Sequence, residues 1–128
     1  MIVNPTTQES ATPTLNITAN NSEGSVRVFR RQPVSISISV DPIDLGTHSA
    51  DLWLIVDAPN GRFYYVEGFG WYDQPTPYAQ TSVANGISKK AFKNKLPVGN
   101  YTFTFAIDNN SDGNLDGTWT DTVSVEVW

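Results

Sequence analysis

Alternation of apolar and polar residues dominates this chain. From Val34 to Val40, the apolar residues Val34, Ile36, Ile38 and Val40 are separated by Ser35, Ser37 and Ser39. A period of two marks an antiparallel strand with one face in the core and the other in water. The same period predicts strands around Leu15 and Ile17, around Val26 and Val28, through Tyr101, Phe103, Phe105 and Ile107, and through Val123, Val125 and Val127. The stretch from Ala50 to Asp57 departs from it. Leu52, Leu54 and Val56 would line one face, yet Trp53 and Ile55 line the other. Such a strand is either central and covered on both sides, or it displays Trp53. Arg62 to Glu67 reads as its returning partner, and Ile87 to Phe92 as a further short strand.

Turn residues punctuate these runs at fairly regular intervals. They include Asn20-Asn21-Ser22-Glu23-Gly24, Arg30-Arg31-Gln32-Pro33, Asp41-Pro42 and Leu96-Pro97-Val98-Gly99. Pro59-Asn60-Gly61 reads as a tight hairpin turn in which Asn-Gly supplies the positive φ angles. Residues 44–49 read as loop, and residues 68–84 as a long irregular loop rich in aromatic residues and proline. Residues 1–13 are rich in Thr, Pro, Ser and Gln without a period. They read as a flexible entry segment, with a strand lent to a neighbouring subunit as the alternative. Residues 14–128 then form one domain of seven or eight short strands with no helix and no internal repeat. An antiparallel β-sandwich suits that pattern, with a closed barrel as the second architecture.

Composition narrows the function classes. At 128 residues the chain is long enough for a two-layer core. A formal charge of −5 argues against nucleic acid as a partner and is compatible with cation binding. There is no cysteine, so stability rests on packing and on any bound ion. No apolar run approaches the length of a membrane span. No leader is visible, but Met1-Ile2-Val3-Asn4-Pro5 reads as an added start or a fragment of a longer chain, so its absence says little about compartment.

Two groups of residues carry a family likeness. One is Leu96-Pro97-Val98-Gly99-Asn100-Tyr101-Thr102-Phe103, followed by an Asp/Asn/Gly loop and a Val-alternating strand. The other is Asp51-Leu52-Trp53-Leu54 ahead of Pro59-Asn60-Gly61. Together they resemble the immunoglobulin-like modules of secreted and surface proteins of bacteria. The resemblance implies an antiparallel immunoglobulin-like β-sandwich and an extracellular or cell-surface location. It also implies a corner role for Tyr101, with its hydroxyl bonded to backbone. It implies no particular chemistry, because the architecture hosts many roles. The inter-sheet disulfide of antibody-type domains has no counterpart here.

The most distinctive chemistry lies between the last two predicted strands. Asp108, Asn110, Asp112, Asn114 and Asp116 place an oxygen-bearing side chain at every second position, with Gly113 after the third. A short loop wraps a hard cation such as Ca²⁺ in this way, because calcium takes six to eight oxygens. The spacing matches the first nine positions of a helix–loop–helix calcium loop. Trp119 stands where that loop carries a bidentate Glu, which should weaken affinity unless Asp121 or Asp73 folds in. The alternative is a hairpin whose Asn and Asp side chains cap backbone groups.

Further candidates are weaker. Trp53, Tyr64, Tyr65, Trp71, Tyr72 and Tyr78 are numerous enough to offer stacking faces for sugar rings, with Asp73 and Gln74 as polar neighbours. Trp53, Trp71, Tyr72 and Tyr78 are the candidate ligand-binding set. Alternatively, the 68–84 loop folds over one sheet and covers a second apolar cluster. Lys89, Lys90, Lys93 and Lys95 read as a solvated edge that discourages strand pairing, with an anionic polymer as the other use. His48 is the only histidine, and no nucleophile elbow, phosphate loop or zinc spacing appears. Carboxylate pairs such as Asp57 and Glu67 could in principle flank a glycosidase-like cleft, but nothing in the sequence places them so. The expectation is a non-catalytic extracellular module with a structural, adhesive or surface-assembly role and a calcium ion. Its partner would be a protein or glycan at a cell surface, without membrane insertion. A carbohydrate-binding module and a self-assembling, pilus-like subunit are the alternatives.

Overall fold

The computed structural model describes residues 14–43, 49–108 and 119–128. Among these lie ten strands and no helix. They are β1 (Leu15–Ala19), β2 (Gly24–Val28), β3 (Val34–Val40), β4 (Ala50–Ala58), β5 (Gly61–Val66), β6 (Gly70–Tyr72), β7 (Ala79–Thr81), β8 (Ile87–Asn94), β9 (Gly99–Asp108) and β10 (Trp119–Val127). The predicted N-terminal segment 1–13, most of the 44–49 loop and positions 109–118 lie outside the described residues.

The strands form two sheets. Seven strands make the larger, in the order β2-β10-β9-β4-β5-β6, with β7 also paired to β4. The smaller has the order β1-β3-β8. The two sheets share one core. The smaller contributes Ile17, Ile36, Ile38 and Phe92, and the larger contributes Leu52, Leu54, Phe103, Phe105 and Val123. Burying each such side chain stabilises the fold by about 1.5–3 kcal/mol before chain entropy is set against it. The all-β, two-layer expectation therefore holds, but two details differ.

First, there are ten strands rather than seven or eight, because the 68–84 stretch is not wholly irregular. Its β6 pairs with β5, and its β7 pairs with β4 from Ala50 to Leu52, the part of β4 that β5 does not reach. Trp71 anchors β6 by packing on Phe92 (centroids 5.3 Å apart) and Phe103 (6.4 Å). Second, the pairing is not purely antiparallel. Strand β2 runs parallel to β10. Asn20 and Asn21 both adopt left-handed φ angles, of 49° and 68°, which asparagine tolerates better than most residues. There the chain leaves the smaller sheet after β1 and joins the larger one as β2. Asn20 fixes the crossing: its Oδ1 accepts from Ser35 N–H at 2.7 Å and its Nδ2 donates to the Pro33 carbonyl.

The β4–β5 hairpin is also built differently from the Asn-Gly expectation. Ala58 pairs with Gly61, so Pro59 and Asn60 are the two loop residues. Only Gly61, at φ 137°, has a positive angle. Two side chains pin other junctions. The Tyr101 hydroxyl donates to the Pro97 carbonyl at 2.7 Å, in the corner position expected for it. Asp121 Oδ2 accepts the Ile17 N–H at 2.9 Å and so ties β10 of one sheet to β1 of the other.

Candidate metal centre

Strand β4 explains the site. Its inward residues Leu52, Leu54 and Val56 enter the main core. Its outward residues are covered as well: Trp53, Ile55, Tyr64 and Ala106 form a second apolar cluster on the other face of the larger sheet. Trp53 is completely buried, so the central-strand alternative is the right one, and the indole is not displayed. The Trp53 and Tyr64 rings pack in a T-shaped pair with centroids 6.1 Å apart.

Two carboxylates end this outer row. Asp51 lies directly opposite Asp108 in the β4–β9 ladder, and both are 0 % exposed. Directly opposite residues project from the same face of a sheet and stand within about 5.5 Å at their Cβ atoms. Trp53 Nε1 donates to Asp108 Oδ2 at 3.1 Å, and Gln80 Nε2 on β7 donates to Asp51 Oδ1 at 2.8 Å. Each carboxylate is thus oriented by a neighbour, as the ligands of metal sites are. Among the described residues, no three His, Cys, Asp or Glu side chains gather as a metal-binding group.

Of the five predicted metal ligands, Asp108 is the one described, and it stands at the foot of the predicted loop. Asn110, Asp112, Asn114 and Asp116 lie outside the described residues. Asp121, considered as a replacement ligand, is engaged with the Ile17 amide. Asp73 is exposed on the bend after β6. Asp51 and Gln80 escaped the sequence reading. The signal for Asp51 was present: it is the only charged residue among the seven buried positions of a strand covered on both sides.

The four candidate ligand-binding rings do not share one face, which corrects the stacking-platform expectation. Trp53 is wholly buried on the outer face of the larger sheet. Tyr78 is 3 % exposed in the main core, and Trp71 packs against that core from β6. Only Tyr72 presents substantial surface, at 42 %. Tyr65 joins Trp71 and Tyr78 inside, with ring centroids at 4.6 and 6.3 Å. The alternative had these loop aromatics covering a second cluster. Instead Trp71 and Tyr78 line the main core, because β6 and β7 return the segment to the larger sheet.

The glycosidase-like pair also separates. Asp57 sits at the hairpin end of β4, where Arg62 binds it through two hydrogen bonds of 2.7 and 3.1 Å. Those bonds, reinforced by the charge of Asp57, raise the Arg62 pKa. Glu67 follows the far end of β5 and pairs with Lys89. Burial pushes the Tyr78 hydroxyl up to about 12, helped by the charge of Glu67 beside it. His48 lies outside the described residues.

Comparison with models of known protein families, with curated proteins and with solved structures finds no match.

Proposed function

We propose that this chain is a non-catalytic, immunoglobulin-like module of a secreted or surface protein, and that a calcium ion closes the end of its sandwich at the 108–116 segment. Its role is to support, space or attach. The observation that carries the cation is the buried Asp51–Asp108 pair at the foot of that segment. Two oriented carboxylates, side by side and out of water, form the kind of hard-oxygen base that calcium accepts. Asp51 and Asp108 would hold the ion from the strands, and the Asp and Asn side chains of the segment would supply further oxygens.

The immunoglobulin-like assignment rests on strand order. Taking β1, β3, β4, β8, β9 and β10 as strands A, B, C, E, F and G, the smaller sheet has the order A-B-E and the larger contains G-F-C. Strands β5 and β6 extend the larger sheet beside C, as the extra strands of variable-type domains do. The Tyr101 hydroxyl bond to Pro97, upstream on the strand F approach, favours the same assignment. Trp53 departs from the antibody pattern, since it faces away from the main core.

Thermal unfolding with and without a calcium chelator tests the proposal. Calcium at a hundredfold excess over its Kd should stabilise the fold by about 2.7 kcal/mol. Chelation should therefore lower Tm, and Asp51→Asn and Asp112→Ala should each shrink that difference. Terbium offers a second readout, because an ion held by Asp108 would lie near the Trp53 indole and be sensitised by it. Superimposable melting curves and silent terbium would remove the calcium.

A further inference from the structure

The lysine run on β8 is split by a bulge. In the β3–β8 ladder Lys93 lies opposite Ser35 and Phe92 opposite Ile36, but the next partner of Ser37 is Lys90, so Ala91 is the inserted residue. In an unbroken strand, residues three apart point to opposite faces. The extra residue restores the phase, and re-aiming side chains is a recurrent use of such bulges. Lys90 and Lys93 therefore share the outer face with Ser37 and Ser35, while Phe92 stays in the core. Lys89 falls on the other side and pairs with Glu67, just past the end of β5.

The re-aimed lysines border a cleft of about 400 Å³. Lys90 and Lys93 form one wall, Asn20, Asn21 and Gln32 the other, and Ser35 the floor. The asparagine wall is fixed, because Asn20 is bonded through its side chain to Pro33 and Ser35. The ion pairs among the described residues use Arg27, Arg62 and Lys89, and neither Lys90 nor Lys93. Beyond the cleft the outer face continues in small polar residues: Thr18 beside Ser37, and Asn16 and Ser88 beside Ser39.

We propose that this cleft binds an anionic saccharide, with a carboxylate or sulfate between Lys90 and Lys93 and ring hydroxyls on Asn21, Gln32 and Ser35. Two ammonium groups match one anionic substituent, and the amides and hydroxyls around them match a polyol. A nucleic acid fits poorly. The cleft has no aromatic ring for a base to stack on, and the chain carries −5 overall. The site lies on the smaller sheet and does not depend on the cation.

Calorimetric titration at low ionic strength tests it, with a galacturonate oligosaccharide for the carboxylate, a heparin-derived oligosaccharide for the sulfate and a neutral galactan oligosaccharide as control. One or both anionic sugars should bind, and the stronger identifies the substituent. Lys90→Gln with Lys93→Gln should weaken binding by about tenfold or more, the range expected on losing hydrogen bonds to a charged group. Lys90→Gln or Lys93→Gln alone should also weaken binding, whereas Lys95→Gln, which removes the same single charge just after β8, should leave affinity nearly unchanged. No binding of either anionic sugar, equal losses in the Lys95 variant, or tighter binding of duplex DNA would each overturn the proposal.

Discussion

The two sheets bury their residues by different rules. In the smaller sheet only one face is dry: Ile36 and Ile38 of β3 are buried while Ser35, Ser37 and Ser39 stand at the surface. In the larger sheet β4 and the last four residues of β9 are dry on both faces, so that Trp53, Ala106, Asp51 and Asp108 are as buried as Leu54 and Phe105. A strand with one wet face can carry polar residues anywhere on that face at little cost. A strand with none must find a partner for each one. The difference explains why each buried carboxylate on the outer side of the larger sheet has a side-chain donor, Trp53 for Asp108 and Gln80 for Asp51.

Substitutions on the two sheets sharpen this contrast. Phe105→Ala, inside the shared core, should cost about 3–5 kcal/mol in urea unfolding, whereas Ser37→Ala on the wet face should stay within about 0.5 kcal/mol. Comparable losses at the two positions would erase the distinction. Trp53→Phe keeps an aromatic ring but removes one hydrogen bond to the buried carboxylate of Asp108, and should cost about 1–3 kcal/mol. A neutral Trp53→Phe would mean that the outer face of the larger sheet behaves as surface. A smaller effect comes with alkali. The Tyr78 hydroxyl, at about 12 in the fold, lies above the ordinary tyrosine value of about 10. The fold therefore retains a proton that the unfolded chain has released. Stability tied to this group is complete below about pH 10 and declines as pH rises towards about 12. Tyr78→Phe should flatten that decline in melting temperatures measured across the range.

How much of this was legible in the sequence follows the same division. The period of two placed β3, β9 and β10 and assigned their inward residues, because each has a face whose polarity reveals its environment. The backbone bond of Tyr101 was legible only through the resemblance of its flanking residues to immunoglobulin-like modules. Strand β4 left two readings open, because a two-sided strand has no alternation, and burial of Trp53 depends on Tyr64 and Ala106 arriving from other strands. Asp51 went unnoticed for the same reason: its meaning comes from Asp108, 57 positions later, placed opposite it by the ladder. The short strands β6 and β7 carry three residues each, too few for any period to show. The bulge at Ala91 was hidden as well, since register is a property of two strands and not of one.

The crossing of the chain from β1 to β2 has a mechanical consequence. Strand β2 lies parallel to β10 along a ladder running from Gly24 to Val28. Once β1 has come away from β3, tension along the chain pulls these neighbours in opposite directions along their length. Their backbone bonds must then shear together, instead of unzipping one after another. The parallel ladder therefore resists a pull along its strands more than one across them, without any change in equilibrium stability.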